Sequence, residues 1–529
     1  MPRRLHRAAV VAVSLAAACQ GGRRGPPPER FVPRDAPAVI VVPEAGRAAR
    51  ELSELHATVA GFPGAAELAG ARGTLAAQLG FDPLDPEALA DAGLDPRRGA
   101  ALATLEARPG AAPSPRNVLV VLPVGDAPKL EGLFLRLARE RLGATERTAD
   151  HRGEVSVVVL RAPGGGAPAL AWAIVQGTAL LCAGPGGPSV VAEAAALAPE
   201  AALADFAPWK TARAALGDGT AAVQWVPPGS ALLDRLWAFK DGIALGISAS
   251  PGRLTVRAAM LLGAREPSFR ALAAGGSGGK LVARLDPGAQ LAARFDGDFA
   301  ALGKKLVPVV PAAERARLSA AGVDLERDLF GALAPGSAVA LSLSPRLDLA
   351  GLTARAVRAD PLRAVEFEAL LPVKDPQAAE AASARIAAAA RGRRADGAWR
   401  IRTPSGEIAW RVDAAARRIA AAGGRPGRLE ALLARADGGG WRPPSEAAAA
   451  ALTGGLGGAA LDPPRVVSAV RAMPEEAFGT GPSGFVMRSL VDRLVEPASR
   501  LAAVSFRADL AAGALVLALD VEARRGEAP

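Results

Sequence analysis

The sequence predicts an α+β protein made of two tandem, sequence-related lobes, each an antiparallel sheet with helices packed on one face. Three observations carry this. The chain has 529 residues, half of them apolar, enough for more than one core. Its apolar runs are short and separated by Gly and Pro turns, with helical spacing between them. A set of landmarks also returns in the same order about 240 residues later.

The chain opens with Arg3, Arg4 and Arg7, an apolar stretch from Ala8 to Ala18, and Cys19. A charged start, a short apolar core and small residues before the cut describe a secretory signal. A cysteine directly after Leu15-Ala16-Ala17-Ala18 is the acceptor of a lipoprotein signal, so residues 1–18 are expected to leave and Cys19 to carry acyl chains. The apolar core is too short to span a bilayer. Acyl chains anchor instead, each buried methylene contributing about 0.8 kcal/mol. Residues 19–30, rich in Gly, Pro and Arg, read as a tether. The first lobe is expected over 31–272, a flexible Gly-rich linker over 273–279 and the second lobe over 280–525.

Ala92-Gly93-Leu94-Asp95 returns as Ala321-Gly322-Val323-Asp324, each followed by an apolar run. Leu122-Pro123-Val124-Gly125-Asp126 returns as Leu371-Pro372-Val373-Lys374-Asp375. Asp126 is placed to cap a helix whose apolar residues Leu130, Leu133, Phe134 and Leu137 share one face, with Gly143 as its stop. The second copy puts Asp375 and Gly392 at the same places, with Pro376 at the first helical position. Leu170-Ala171-Trp172 with Pro188 matches Ile408-Ala409-Trp410 with Pro426, which aligns Cys182 with Ala420. Pro227-Pro228 and Asp234-Arg235-Leu236 match Pro463-Pro464 and Asp492-Arg493-Leu494 more loosely. Each copy then closes in an apolar strand, Leu254 to Leu262 and Ala514 to Val521.

The Gly-Leu-Asp-Pro turn at Gly93 to Pro96, paired with the Leu-Pro-Val-x-Asp junction at Leu122 to Asp126, resembles uncharacterised exported proteins and lipoproteins of GC-rich bacteria, grouped under a domain of unknown function. The resemblance covers most of residues 31 to 525. The second copy departs from it by having Leu325 in place of Pro96. That family has no assigned activity, so the resemblance implies no catalytic residue.

The chemistry in the sequence is sparse. Lys and Arg number 63 against 53 Asp and Glu, a mild excess without the charge runs of a nucleic-acid arm, so nucleic acid is not an expected partner. Aromatic residues make up 4% of the chain, too few for base-stacking platforms. With Cys19 acylated, Cys182 has no disulfide partner and is expected in an apolar strand. His56 falls in a polar helical stretch and His151 in an Asp150-His151-Arg152-Gly153 turn, neither with a metal partner at ligand spacing. Gly275-Gly276-Ser277-Gly278-Gly279 matches a nucleophile-elbow pattern but leads into a strand-like Leu281 to Leu285, where an elbow needs a helix. No enzyme, cofactor or metal is therefore expected. Trp172 and Trp410, at matched sites, are candidate core anchors or groove-lining residues. The sequence thus points to a lipid-anchored envelope protein facing the periplasm or cell surface. Such a protein would act as a non-catalytic binder or scaffold for an envelope protein, or as a carrier or sensor of a lipid or other hydrophobic molecule in a groove.

Overall fold

The structure, a computed structural model, describes residues 25–59, 65–105, 118–230, 233, 240–273, 275–349, 351–353, 356–357, 360–435 and 438–524. Cys19, the expected leader, residues 19–24 of the expected tether and Asp234-Arg235-Leu236 lie outside them. The chain divides into two compact units, the first drawn from Met1–Ser53, Ala69–Arg213 and Asp218–Ser248, the second from Glu54–Leu68, Ala214–Gly217 and Ala249–Pro529. The division at Ser248/Ala249 precedes the Gly-rich segment. Both units are α+β with antiparallel sheets.

The first unit contains β1 (Ala38–Val42), β2 (Ala100–Thr104), β3 (Val118–Pro123), β4 (Glu146–Arg152), β5 (Val155–Arg161), β6 (Pro168–Val175), β7 (Thr178–Ala183), β8 (Ala222–Val226) and the start of β9 (Ile243–Ser250). They pair in the order β4-β5-β6-β7-β3-β2-β1-β8-β9. The second unit contains β10 (Arg253–Leu261), β11 (Leu291–Phe295), β12 (Ser337–Leu343), β13 (Val365–Pro372), β14 (Arg393–Ala395), β15 (Ala398–Thr403), β16 (Gly406–Asp413), β17 (Arg418–Gly424), β18 (Gly457–Leu461), β19 (Leu501–Ala511) and β20 (Ala514–Ala523). Its order is β14-β15-β16-β17-β13-β12-β11-β18-β19-β20-β10. The connectivity of the first nine strands is thus written again in the second unit. The two closing strands, expected one per lobe, instead pair with each other, Leu254 opposite Val521.

Register corrects the alignment. The β6–β7 hairpin pairs Val175 with Thr178, whereas β16–β17 pairs Asp413 with Arg418, a loop two residues longer. Leu119 faces Cys182, and Glu368 faces Ala422, so Cys182 corresponds to Ala422, not Ala420. The first landmark also does two jobs in the first unit. Gly93, at φ +89°, ends the helix Pro86–Asp91, and Leu94 bridges to Val124. In the second unit Gly322 ends the helix Ala312–Ala320, but the residue bridging to Val373 is Leu333, so a helical insertion at Leu325–Gly331 separates the two roles. The strand-to-helix junction itself holds in both: Asp126 accepts the Lys129 N–H at 3.1 Å, and Asp375 accepts the Gln377 N–H at 2.8 Å. Gly143 is left-handed at the first helix's end, whereas in the second Arg391 takes that conformation and Gly392 does not.

Helices cover both faces of the sheet around β5–β7, not one as expected. Trp172 packs edge-on against Phe134 of the helix Ala127–Leu142, with ring centroids 5.6 Å apart. Its neighbour Ala171 points the opposite way and lies under the helix Gly187–Ala195, where a Cβ on Gly187 would come within 3.3 Å of it. The reason is compositional, since Val157, Val159, Leu160, Ala171 and Trp172 are all buried and make these strands apolar on both sides. The second unit repeats this: Trp399, opposite Trp410, donates to Glu380 on the helix Pro376–Ala389. Arg428 on the helix Arg428–Ala434 reaches Glu366 on the other face at 2.6 Å. The Gly-rich segment departs from a flexible connector. Gly278 is buried, its N–H donates to Asp296 at 2.8 Å, and Gly278–Val282 is helical where a strand was expected.

The insertion is held by Asp328, a buried carboxylate that accepts from Arg327 at 2.8 Å, Arg385 at 2.7 Å and the Asp324 N–H at 2.9 Å. The Arg327 hydrogen bond above all, then Arg385 and the Asp324 amide, outweigh burial and hold this carboxyl well below the usual range. A depressed pKa contributes stability that is present above the unfolded value of about 3.9 and lost as pH falls through the folded value. Asp328→Asn is expected to lower stability at pH 7 by about 3 kcal/mol. In urea titrations the difference from wild type should narrow once pH drops below about 4.

Candidate functional site: a bare apolar sheet face

Where the helices stop, the sheet stays two-faced. In the first unit, hydrogen-bonded register lines up Val120, Leu102, Ile40, Gln224 and Leu245 as one row. Leu102, Ile40 and Leu245 are 38%, 43% and 41% exposed. One residue along on either strand the pattern inverts: Val39, Val41, Ala101, Ala103, Val223 and Trp225 are buried on the opposite face. Beside it on one side lie the pairs Ala100 with Val42 and Ala222 with Ile247, and on the other Val118, Thr104 and Ala38, with Val226 paired to Ile243 and both buried.

The second unit carries the wider version. Its central row is Val339, Ala293, Ala459, Phe506, Leu519 and Val256, with Phe506 and Leu519 40% and 39% exposed. A second row holds Leu341, Leu291, Leu461, Val504, Val521 and Leu254, and a third Ser337, Phe295, Gly457, Ala508, Leu517 and Ala258. No charged side chain occurs in these three rows. Six strands at about 4.8 Å spacing make this face roughly 24 Å across. The charges of the same strands sit on the other side, where Arg253 binds Asp520 at 2.7 Å and the buried Arg294 pairs with Asp296. An antiparallel sheet with one wet face ordinarily alternates apolar and polar residues. A contiguous apolar surface of this kind marks a site of contact.

A smaller apolar strip lies on the helix Gly481–Ser499, where Val486, Leu490 and Leu494 recur at a four-residue spacing and are exposed. Beside its start is an open groove of about 610 Å³ bordered by Glu475, Glu476, Phe478, Phe485 and Arg488.

The residues singled out in the sequence do not converge. Trp172 and Trp410 are both buried, Trp172 under Phe134 with the Arg147 guanidinium 6.0 Å from its ring. They share the sheet side of the bare rows but lie at its covered end. Cys182 is buried, and desolvation pushes its thiol up to about 11, away from nucleophilic use at neutral pH. His151 is an exposed residue of β4, opposite Ser156, not part of a turn. Ser277 precedes a five-residue helix, and its hydroxyl makes no capping bond. Among the described residues no group of His, Cys, Asp or Glu is placed to hold a metal, and no helix is long and apolar enough to cross a membrane. The bare face carries no chemical motif that marks it in the sequence; its signal is alternation in β19 and β20, where Phe506 and Ala508 alternate with Arg507 and Asp509, and Leu519 and Val521 with Asp520 and Glu522.

If the face is bare, charge should be tolerated on it and not one residue away. Ile40→Lys is expected to shift stability by less than about 1 kcal/mol, and Val41→Lys to cost more than about 3 kcal/mol, in thermal unfolding.

No family model matches the sequence, and no curated protein matches it. Among solved structures, crystal form III of TP0453 is 10% identical with a TM-score of 0.23, covering 44% of this chain and 79% of that one. Crystal form IV of TP0453 is 9% identical with a TM-score of 0.24, covering 46% and 83%. This is a partial likeness that carries no functional argument.

Proposed function

We propose that this chain is a membrane-tethered envelope lipoprotein that works by binding through its bare apolar sheet face and performs no chemistry of its own. The observation that carries this reading is the set of charge-free rows in each unit, exposed at Ile40, Leu102, Leu245, Phe506 and Leu519. A face without titratable groups can exclude water and match shape, but it can neither move a proton nor polarise a bond. The leader ending at Cys19 supports the membrane tether, because acylation there would hold the face close to other envelope components.

Native mass spectrometry of the acylated chain, extracted gently from its host's membranes, tests the reading. Protein-sized increments on the chain are the expected result. A small added mass lost on solvent extraction would favour the alternative, a carrier of a lipid or other hydrophobic molecule. A bare chain would contradict both.

A further inference from the structure

We infer that the bare face of the second unit is covered by a second copy of this chain, the two sheets stacking face to face. The inference rests on the binding role proposed above and names its partner.

The chemistry of the face narrows the occupant. Strands β18, β19 and β20 each pair with a neighbour on both sides, and the side chains in the rows bear no charge. The occupant's contacting surface must therefore be apolar. The helix Pro376–Ala389 bounds the face at the Trp410 end, and beyond it Phe506 and Leu519 stand 40% and 39% exposed. A single acyl chain lying on it would keep half of its own surface in water, which argues against a free lipid. Surfaces that sit in a bilayer interface pair their apolar part with basic residues or Trp at the rim. The three rows contain no Lys, Arg or Trp, and Arg253 at the end of β10 lies on the covered side, bound to Asp520.

Area and relief favour a copy. Six strands by three rows span roughly 24 by 14 Å between their outer Cα positions, or about 29 by 20 Å with half a spacing of side chain on every edge, and the accessible surface of such a patch approaches the ~800 Å² per partner of a standard stable interface. The central row is uneven in a useful way. In the central row Ala293 and Ala459 are small on β11 and β18, with Phe295 bounding this hollow at one end opposite Gly457, and Phe506 and Leu519 make a ridge on β19 and β20. A twofold axis between β18 and β19 would seat the ridge of each copy in the hollow of the other, with the sheets about 10 Å apart. A surface of this kind is complementary to itself, which a flat bilayer or an arbitrary partner does not require.

The test uses the full acylated chain in its host's membranes. Ala459→Cys supplies one reactive thiol near the proposed axis, since Cys182 is buried and Cys19 would be acylated. A bis-maleimide spanning about 10 Å should then give a covalent product of twice the chain mass. Arg152→Cys, on the exposed edge of β4, should not. In the Ala459→Cys background, Phe506→Asp should lower the product at least tenfold. Ala293→Phe should do the same by filling the hollow while keeping the face apolar, which keeps the proposal testable if the aspartate variant misfolds. A product insensitive to both variants would place the dimer elsewhere and overturn the inference. So would adducts of another mass, or an introduced thiol shielded from a monofunctional maleimide without any dimer, although binding through this face would still stand. An introduced thiol that labels freely and forms no adduct would remove both.

Discussion

An antiparallel strand has two faces, and this fold is governed by which of them a helix covers: around β5–β7 both faces are apolar, while in β10, β19 and β20 one face is apolar and the other carries charge. Around β5, β6 and β7 the constraint is met from both sides, by the helices Ala127–Leu142 and Gly187–Ala195 in the first unit and their counterparts in the second. Away from that end only one side is covered, and Ile40, Leu102, Phe506 and Leu519 face outward. Removing an apolar surface from water contributes about 25 cal/mol per Å², so a face of this breadth is a standing drive toward association.

The repeated connectivity makes the differences between the units informative. Leu119 and Cys182 face each other as an apolar pair in the first unit, and Glu368 and Ala422 occupy the corresponding places in the second. Glu368 is buried and binds Arg435 at 2.7 Å, while Arg428 joins Glu366 and Asp286. Paired charges of this type do little for net stability but are costly to break. They lie on the side away from the bare rows, so the second unit has taken charge into its covered layer and left the outer face without any.

Much of the fold was legible in the sequence because its punctuation is local. Asp126 and Asp375 cap helices where their spacing predicts, since an N-cap needs only its own turn. What failed was long-range. The two-residue lengthening of the β16–β17 hairpin shifts the counterpart of Cys182 from Ala420 to Ala422 without a local signature, and the insertion at Leu325–Gly331 divides between two places what Gly93 and Leu94 do in one. The pairing of Leu254 with Val521 joins residues far apart in the chain, and no periodicity encodes it. The candidate site was hidden for a related reason. Val118–Pro123 is apolar without alternation, a pattern that predicts burial on both faces, whereas in Ala514–Ala523 only the last residues, Leu519 to Glu522, alternate apolar with acidic. Trp172 and Trp410, the conspicuous residues, serve the covered end.

On the proposed binding role, the outer rows are a contact surface that is occupied where the protein works. Hydroxyl-radical footprinting of the chain in its host's membranes, set beside the same chain purified and diluted, addresses this directly. Ile40, Leu102, Phe506 and Leu519 are expected to be oxidised in the dilute chain and protected in the membrane, while edge residues such as His151 react in both. Equal oxidation of the face in the two states would contradict that role.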